Sequence, residues 1–210
     1  MAQSKVELAN IALQMIGSKR IASFAEDSRE ARAVATVYDD IRDEVLAEHP
    51  WSFAQKRAVL ATLADAPVFT EDRMRVVYAK PNDLVRLNFM SDPSAVVKVE
   101  QNGILSDTLN LKILYTYRND DPTTYFAKFT MAMATRLAAE LCFHLSESAA
   151  KSEKVLEAYE TIRLPRAVAE DSQQSTPVQP MQDEWTWYRI YGSAGFPSQQ
   201  PGAQTWHPSW

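Results

Sequence analysis

The chain has 210 residues, of which 46% are hydrophobic and 23% charged, and its formal net charge is −5. This length allows one sizeable hydrophobic core, and the negative net charge gives no overall attraction to nucleic acid. Cys142 is the single cysteine, so an intrachain disulfide is excluded, and no apolar run reaches the ~18 residues that a membrane span needs.

The N-terminal part of the chain predicts two helices. Ser4 and Glu7 have the spacing of a capping box, and Gly17 is a natural helix terminator. Ser28 can cap a second helix, which Pro50 ends because the residue before a proline resists helical angles. Each helix has one apolar face. The apolar positions are Leu8, Ile11, Ala12, Met15 and Ile16 in the first helix, and Ala31, Val34, Tyr38, Ile41 and Val45 in the second.

The middle of the chain predicts short β-strands, because runs of β-branched and aromatic residues are separated by prolines. Asn102-Gly103 predicts a type I′ hairpin, since both residues tolerate a positive φ. The predicted strands are Arg57–Leu63, Arg73–Tyr78, Val85–Phe89, Val96–Glu100 and Leu109–Tyr117.

Two more helices are predicted in the C-terminal half. Asp121 as N-cap and Pro122 in the first turn open the third helix. A fourth runs from about Ser148 to Ala169, and Pro165 inside it is expected to kink or split it. The third helix has an apolar stripe at Phe126, Phe129, Met133, Leu137, Leu141 and Leu145, and small residues at Ala132, Ala134, Ala138 and Ala139.

These elements predict a mainly α fold with a β insertion, of the α+β class. Helices 1 and 2 (residues 1–56) and helices 3 and 4 (residues 120–170) form a four-helix bundle body. A small β-rich domain (residues 57–119) is inserted between helices 2 and 3, and an extended C-terminal arm (residues 171–210) follows.

The sequence offers little for catalysis or metal binding. Glu140 and His144 are four apart, whereas carboxylate-bridged di-metal bundles use a three-residue spacing on two helices. Cys142 lies among apolar residues and is predicted to be a core residue. No phosphate loop, nucleophile elbow or paired CxxC occurs. No catalytic residue, metal or cofactor is therefore predicted.

Two further features each have a simple and a sharper interpretation. The acidic cluster of the second helix is either a solvated face or a surface that lines a channel or meets a neighbour. The junction after that helix either plugs the boundary between bundle and β-domain or binds a partner. The acidic residues are Asp39, Asp40, Asp43 and Glu44, and the junction is His49, Pro50, Trp51, Ser52 and Phe53.

The predicted arm contains four of the five tryptophans. Burying one large aromatic ring is worth a gross ~4–6 kcal/mol, so a soluble chain seldom leaves many in water. The arm can fold back on its own subunit, dock on another subunit or a partner, or stay disordered; docking in an extended form is favoured. The residues expected to bind are Trp185, Trp187, Tyr188, Tyr191, Phe196, Trp206 and Trp210.

Several motifs occur in an order that resembles the phage head-to-tail adaptors, including the tail tubular protein A group of short-tailed phages. The family's structural motif is matched by Phe24 and Asp27 and by His49, Pro50, Trp51 and Phe53. The full series is Ser4–Gly17, Ile21–Ser28, Glu30–Arg32, Tyr38, Arg42-Asp43, His49–Ala54, Tyr78–Arg86, Tyr115–Arg118, Asp121-Pro122, Phe126, Phe129 and Arg136–Ala138. The resemblance covers about residues 4–170.

The resemblance implies a non-enzymatic virion protein at the head–tail junction, assembled in the cytoplasm of a bacterial host. Such adaptors form a ring, commonly of twelve copies, beneath the portal protein. They extend the DNA channel without sequence-specific DNA binding and hold the tail nozzle or another neck protein. In relatives, C-terminal arms grip the portal. No membrane is involved.

This chain departs from the family pattern at Pro165, where relatives tend to continue the helix, and from Trp185 onward, where nothing matches. Other functional classes also stay open. The closest is a head-completion or connector protein of a long-tailed phage. A cellular helical interaction module and an enzyme without a known motif are the remaining alternatives.

Overall fold

The computed structural model of the chain describes residues 4–63, 74–92, 94–101, 103–146 and 148–174, all within one unit that spans residues 1–175. These residues form helices and two small antiparallel sheets, so the fold is mixed α and β, as the sequence predicts. Apart from its first four residues, the predicted arm lies outside the described residues, and so do all seven aromatic residues expected to bind through it.

The two N-terminal helices begin and end at the predicted residues. In helix α1 (Lys5–Ile16) the Ser4 hydroxyl accepts from the backbone of Glu7, and the Glu7 carboxylate accepts from the backbone of Ser4. Gly17 ends the helix with a φ of 80°. Helix α2 (Arg29–Glu48) is capped by the Ser28 side chain and stops two residues before Pro50. Local side-chain chemistry therefore fixes all four ends.

In the described part of the chain, six strands follow α2 and form two antiparallel sheets of three strands each. The strands are β1 (Gln55–Val59), β2 (Val76–Tyr78), β3 (Leu84–Met90), β4 (Val97–Glu100), β5 (Gly103–Ser106) and β6 (Lys112–Tyr117). The sheet orders are β1-β6-β3 and β2-β5-β4, so β6 and β5 are the central strands. Five strands overlap the predicted ones, whereas β5 lies outside every predicted strand.

The hairpin between β4 and β5 is present, but the predicted role of Gly103 is wrong. Glu100 pairs directly with Gly103, so positions 101 and 102 connect the strands and Gly103 is the first residue of β5. Gly103 does not have a positive φ. It is required because a Cβ there would lie 2.6 Å from the carbonyl oxygen of Tyr78 on the neighbouring strand β2.

The third helix begins later than predicted. Asp121 caps a short 3₁₀ turn (Pro122–Thr124), and α3 (Ala127–Ser146) starts after two intervening residues. The backbone of Tyr125 is extended, which ends the turn. This conformation lets the Tyr125 ring enter the core, where its hydroxyl donates to the carbonyl oxygen of Asn119 at 2.6 Å. The burial of Tyr125 therefore outweighs the helix-start signal of Asp121 and Pro122.

The fourth predicted helix is split, as Pro165 suggests. It consists of α4 (Ala149–Ala158), a π turn (Tyr159–Arg163) and α5 (Leu164–Ser172). Proline lacks an N–H and its ring clashes with the preceding turn of a regular helix. The wider turn accommodates this residue, and the N–H of Leu164 bonds to the carbonyl oxygen of Tyr159, five residues earlier.

Helix α3 is the centre of the larger of two hydrophobic cores, and it packs against α1, α2, α4 and α5. Its alanines at 132, 134, 138 and 139 are buried, as expected for close helix approach. The smaller core lies between the sheets and includes Tyr78, Ile104, Leu111, Ile113 and Tyr115.

The position of Gly103 leads to a stability prediction. Replacing Gly103 with Ala forces the new methyl group against the backbone of β2, so we expect a loss of about 1–3 kcal/mol in the free energy of unfolding, measured by urea denaturation. Gly17→Asn serves as the control. A Cβ at position 17 would have no atom within 4 Å, and Asn tolerates a positive φ. Equal losses in both variants would contradict the close-approach explanation.

Candidate functional site

Arg42 lies at the centre of a charge cluster on the acidic helix α2. Its side chain is only 5% exposed, and its guanidinium donates to Asp39 at 2.7 Å, to Asp43 at 2.8 Å and to Asp120 at 2.6 Å. Burial lowers the pKa of Arg42, but the hydrogen bond to Asp43 and the surrounding carboxylates outweigh it, and the net shift is upward. Arg42 therefore stays charged and neutralises part of the acidic cluster.

The cluster extends from Arg42 to two other parts of the chain. Arg118, which directly follows β6, donates through Nε to Asp43 at 2.7 Å. Lys5 of α1 forms an ion pair with Asp120. Burial alone would raise the pKa of Asp120, but Lys5 and Arg42 together lower it. The network thus joins α1, α2 and the segment between β6 and α3.

The other two acidic residues have different surroundings. Glu44 forms a two-point ion pair with Arg136 of α3, with both N–O distances at 3.0 Å. Asp40 is exposed and has no ionic partner among the described residues. The acidic cluster is therefore largely paired within the chain, and Asp40 is the member with its charge free for an outside group. Contact of these acids with a channel or a neighbour stays a prediction.

The junction after α2 is built from aromatic rings that pack mostly edge-to-face. Trp51 is fully buried and donates through Nε1 to the carbonyl oxygen of Val45 at 2.9 Å. Its ring contacts His49 edge-on at 4.8 Å and Phe129 at 4.9 Å between centroids, and Phe53 lies 4.7 Å from Phe129. The predicted packing role of Trp51 and Phe53 is confirmed, and Trp51 is unavailable to a partner.

Asp171 of α5 is a buried carboxylate that the sequence interpretation missed. It accepts from the Ser52 backbone N–H at 3.0 Å and from the Ser52 hydroxyl at 2.6 Å, and it lies 3.2 Å from Nε2 of His49. The predicted arm starts at residue 171, whereas α5 extends to Ser172. The last described helix is therefore fastened to the junction between α2 and β1.

His49, Ser52 and Asp171 are the residue types of a hydrolase triad, but their arrangement differs from one. In a triad the histidine bridges the serine and the acid, so that it can take the serine proton. Here the Ser52 hydroxyl and the His49 ring both point to the same carboxylate of Asp171. This geometry holds two segments together, and His49 does not contact the serine hydroxyl as a triad base would.

Glu48 and Tyr159 form a second contact between α2 and the π turn. The buried Tyr159 hydroxyl donates to Oε2 of Glu48 at 2.8 Å. Burial raises the pKa of Glu48, with a further upward contribution from Glu44, while the hydrogen bond from Tyr159 acts in the opposite direction. The charged form of Glu48 is therefore less favourable in the folded chain than in water.

The remaining residues that the sequence singled out pack against or pair with other residues of the same chain. Phe24 packs edge-on against Tyr38 at 5.2 Å, and Asp27 forms an ion pair with Arg32. Cys142 is fully buried, so its predicted core position is confirmed. His144 is exposed, with Nε2 3.7 Å from Glu140. Within the described parts of the chain, no group of metal-ligating residues gathers and no helix is long and apolar enough to span a membrane.

Arg86 and Asp83 belong to the family-like Tyr78–Arg86 motif, and the structure shows what each of them contacts. Its guanidinium donates to the carbonyl oxygens of Ala47 and Glu48 at 3.1 Å each, which satisfies the C-terminal end of α2 from strand β3. Asp83 accepts from Lys56 at 2.7 Å and from the Tyr115 hydroxyl at 3.0 Å. Only their position within the Tyr78–Arg86 motif marked these residues in the sequence.

No protein-family model matches the chain, and no curated protein matches it. The proposal for its function therefore depends on the ordered motifs, on the contacts described above and on the chemistry of its surfaces.

The buried position of Arg42 leads to a second stability prediction. Arg42→Met removes the cation and leaves Asp39, Asp43 and Asp120 crowded together. We expect the free energy of unfolding to fall by about 3 kcal/mol. This is the lower end of the range for a broken buried ion pair, because Asp39 and Asp120 stay partly hydrated. Arg32→Met is the matched control on the same helix and is expected to cost less than about 1 kcal/mol, because its ion pair is exposed. Urea denaturation at pH 7 measures both, and equal stability of the two variants would refute the central role of Arg42.

The raised pKa of Glu48 predicts a pH effect. A carboxyl whose pKa is higher in the folded state binds its proton more tightly when folded, so its contribution to stability falls as pH rises from the unfolded value of about 4.3 through the folded pKa. Glu48→Gln removes the charge and keeps an acceptor for Tyr159. The variant is expected to gain stability relative to the wild type between pH 4 and pH 7, as followed by urea midpoints. A constant difference across this window contradicts the prediction, and Glu48→Ala controls for loss of the acceptor.

Proposed function

We propose that this chain is a structural protein of a phage particle, a head-to-tail adaptor. Many copies form a ring beneath the portal, extend the DNA channel and hold the tail. The proposal rests on one observation above all, the ordered series of motifs from Ser4 to about residue 170 that resembles this adaptor family.

The contacts of the motif residues support this assignment. Trp51 fills the junction, Arg42 gathers three carboxylates, and Arg86 connects β3 to the end of α2. These residues join separate elements of the chain rather than line a pocket. Motif residues that connect separate elements are expected in a scaffold or ring subunit. In an enzyme family, the motifs include the groups that react.

The body we propose for the ring subunit is a four-helix bundle with a β-domain inserted between its second and third helices. Helices α1, α2 and α3 supply three members, and α4 with α5 supplies the fourth. The six strands lie between α2 and α3 in the chain. The central position of α3 and the contacts through Arg86 and Arg118 support this arrangement.

The charge of the chain suits a conduit for DNA. Cationic contacts dominate affinity for the phosphate backbone, so a net charge of −5 favours passage over binding. Asp40, exposed and without an ionic partner in the described residues, is the acid best suited to face a channel or a neighbouring copy.

The aromatic arm is the part of the chain that we propose contacts the portal or an adjacent adaptor. Its many rings call for a covering surface, and repetition around a ring strengthens attachment even when each arm binds weakly. Asp171 fastens the end of α5 to Ser52, which gives the residues that follow a fixed starting point on each copy.

Truncation separates folding from attachment. A chain ending at Ser175 retains every described contact and is expected to unfold at the wild-type temperature but to fail to join portal-containing capsids. Full-length protein with Trp185, Trp187, Trp206 and Trp210 changed to Ala is the matched control and is expected to fail likewise. Co-sedimentation with capsids of the phage that encodes this chain, followed by cryo-electron microscopy of the neck, measures attachment.

The outcomes of this experiment discriminate between the functional classes. A truncated chain that joins the capsids normally refutes the role of the arm. A wild-type chain that never joins the portal vertex, alone or after other neck proteins, refutes the adaptor proposal and favours a cellular interaction module. Attachment only to a preassembled neck ring favours the long-tailed phage connector instead.

A further inference from the structure

The sheet β1-β6-β3 has one face turned away from the smaller core. Ile113 and Tyr115 of β6 are buried in that core, so the alternating residues Lys112 and Leu114 belong to the opposite face. The strand register aligns Leu114 with Arg57 of β1 and with Phe89 of β3, and it aligns Lys112 with Val59. We call these five residues, Arg57, Val59, Phe89, Lys112 and Leu114, the basic sheet face.

The end of α2 covers only part of this side of the sheet. Thr116 is fully buried, and Arg86 bonds to the last carbonyl groups of α2. Further along the strands, Phe89 is 52% exposed and Val59 is 67% exposed. A phenylalanine and a valine in water beside two cations form a surface with the composition of a docking site.

Lys112 lies far along β6 from the contact that β6 makes with the acids of α2. Arg118, at the near end of β6, is the residue that reaches Asp43. Lys112 is six positions earlier, which at ~3.3 Å per residue places it about 20 Å away along the strand. Lys112 and Arg57 are exposed and have no acidic partner among the described residues.

We propose that the basic sheet face of one copy docks on the acidic face of helix α2, formed by Asp39, Asp40 and Glu44, of a second copy. The inference rests on the proposed ring and identifies the contact that builds it. Charge complementarity selects the occupant: the chain is acidic overall, its basic sheet face carries two exposed cations without an acidic partner among the described residues, and its α2 offers exposed carboxylates. Two different patches on each copy make a heterologous contact, which closes into a ring when the rotation between copies allows.

Charge reversal on either face tests this directly. One variant, Arg57→Glu with Lys112→Glu, makes the sheet face acidic. The other, Thr36→Lys with Asp40→Lys, makes the helix face basic at two exposed positions one turn apart, and leaves the Arg42 and Arg136 ion pairs intact. Each variant alone then presents like charges to its own copies. In an equimolar mixture, however, each contact joins opposite charges.

Sedimentation velocity over a concentration series measures the association. We expect the wild type to self-associate, each variant alone to associate roughly tenfold or more weakly, and the mixture to recover the wild-type behaviour. Lys19→Glu with Arg20→Glu, at exposed positions in the loop between α1 and α2, makes the same charge change as the sheet variant and is expected to behave like the wild type. Thermal unfolding confirms that each variant is folded.

Three results would overturn the inference: variants that associate like the wild type, a mixture that fails to recover, or a wild type that stays monomeric at the highest concentration. The capsid experiment keeps this test separate from the proposed function. If the wild type joins the portal vertex while both reversed variants also fill the ring alone, this interface is wrong and the adaptor role stands. If the wild type never joins the vertex, the adaptor role fails, and sedimentation alone decides whether the interface exists.

Discussion

The ion pairs of Arg42 are the constraint on which the rest of the structure depends. Asp39 and Asp43 come from α2, whereas Asp120 comes from the segment between β6 and α3, 78 residues further along the chain. These carboxylates repel one another unless a cation lies between them, so their spacing is fixed by one planar guanidinium. That segment joins β6 to α3. Its position therefore sets where β6 and α3 lie relative to α2.

Other single side chains also connect two separate segments of the fold. Arg86 belongs to a strand and satisfies the end of a helix, and Asp171 belongs to the last described helix and binds the residues before β1. Both contacts join elements that are far apart in the sequence. The surfaces left over, an acidic helix face and a basic apolar sheet face, are the parts available for assembly, and this division between joints and surfaces underlies the proposed role as a repeating subunit.

The parts of the fold that could be predicted are those encoded by neighbours in sequence. Ser4, Gly17 and Ser28 act within one helical turn of themselves, so spacing alone reveals them. Strand β5 escaped prediction because Gly103 serves a close approach to another strand, which leaves no local signature distinct from a turn. Asp171 escaped for a similar reason: its partner Ser52 is 119 positions away, and a long-range hydrogen bond imposes no periodicity on the sequence.

The anchoring of Asp171 has a mechanical consequence. A pull on the C-terminal end of α5 would load the hydrogen bonds between Asp171 and Ser52. Ser52 adjoins both the end of α2 and the start of β1, so the force would divide between the helical part and the sheet rather than peel one helix away. In the proposed adaptor, a pull on the arm would therefore reach the helical part and the sheet together.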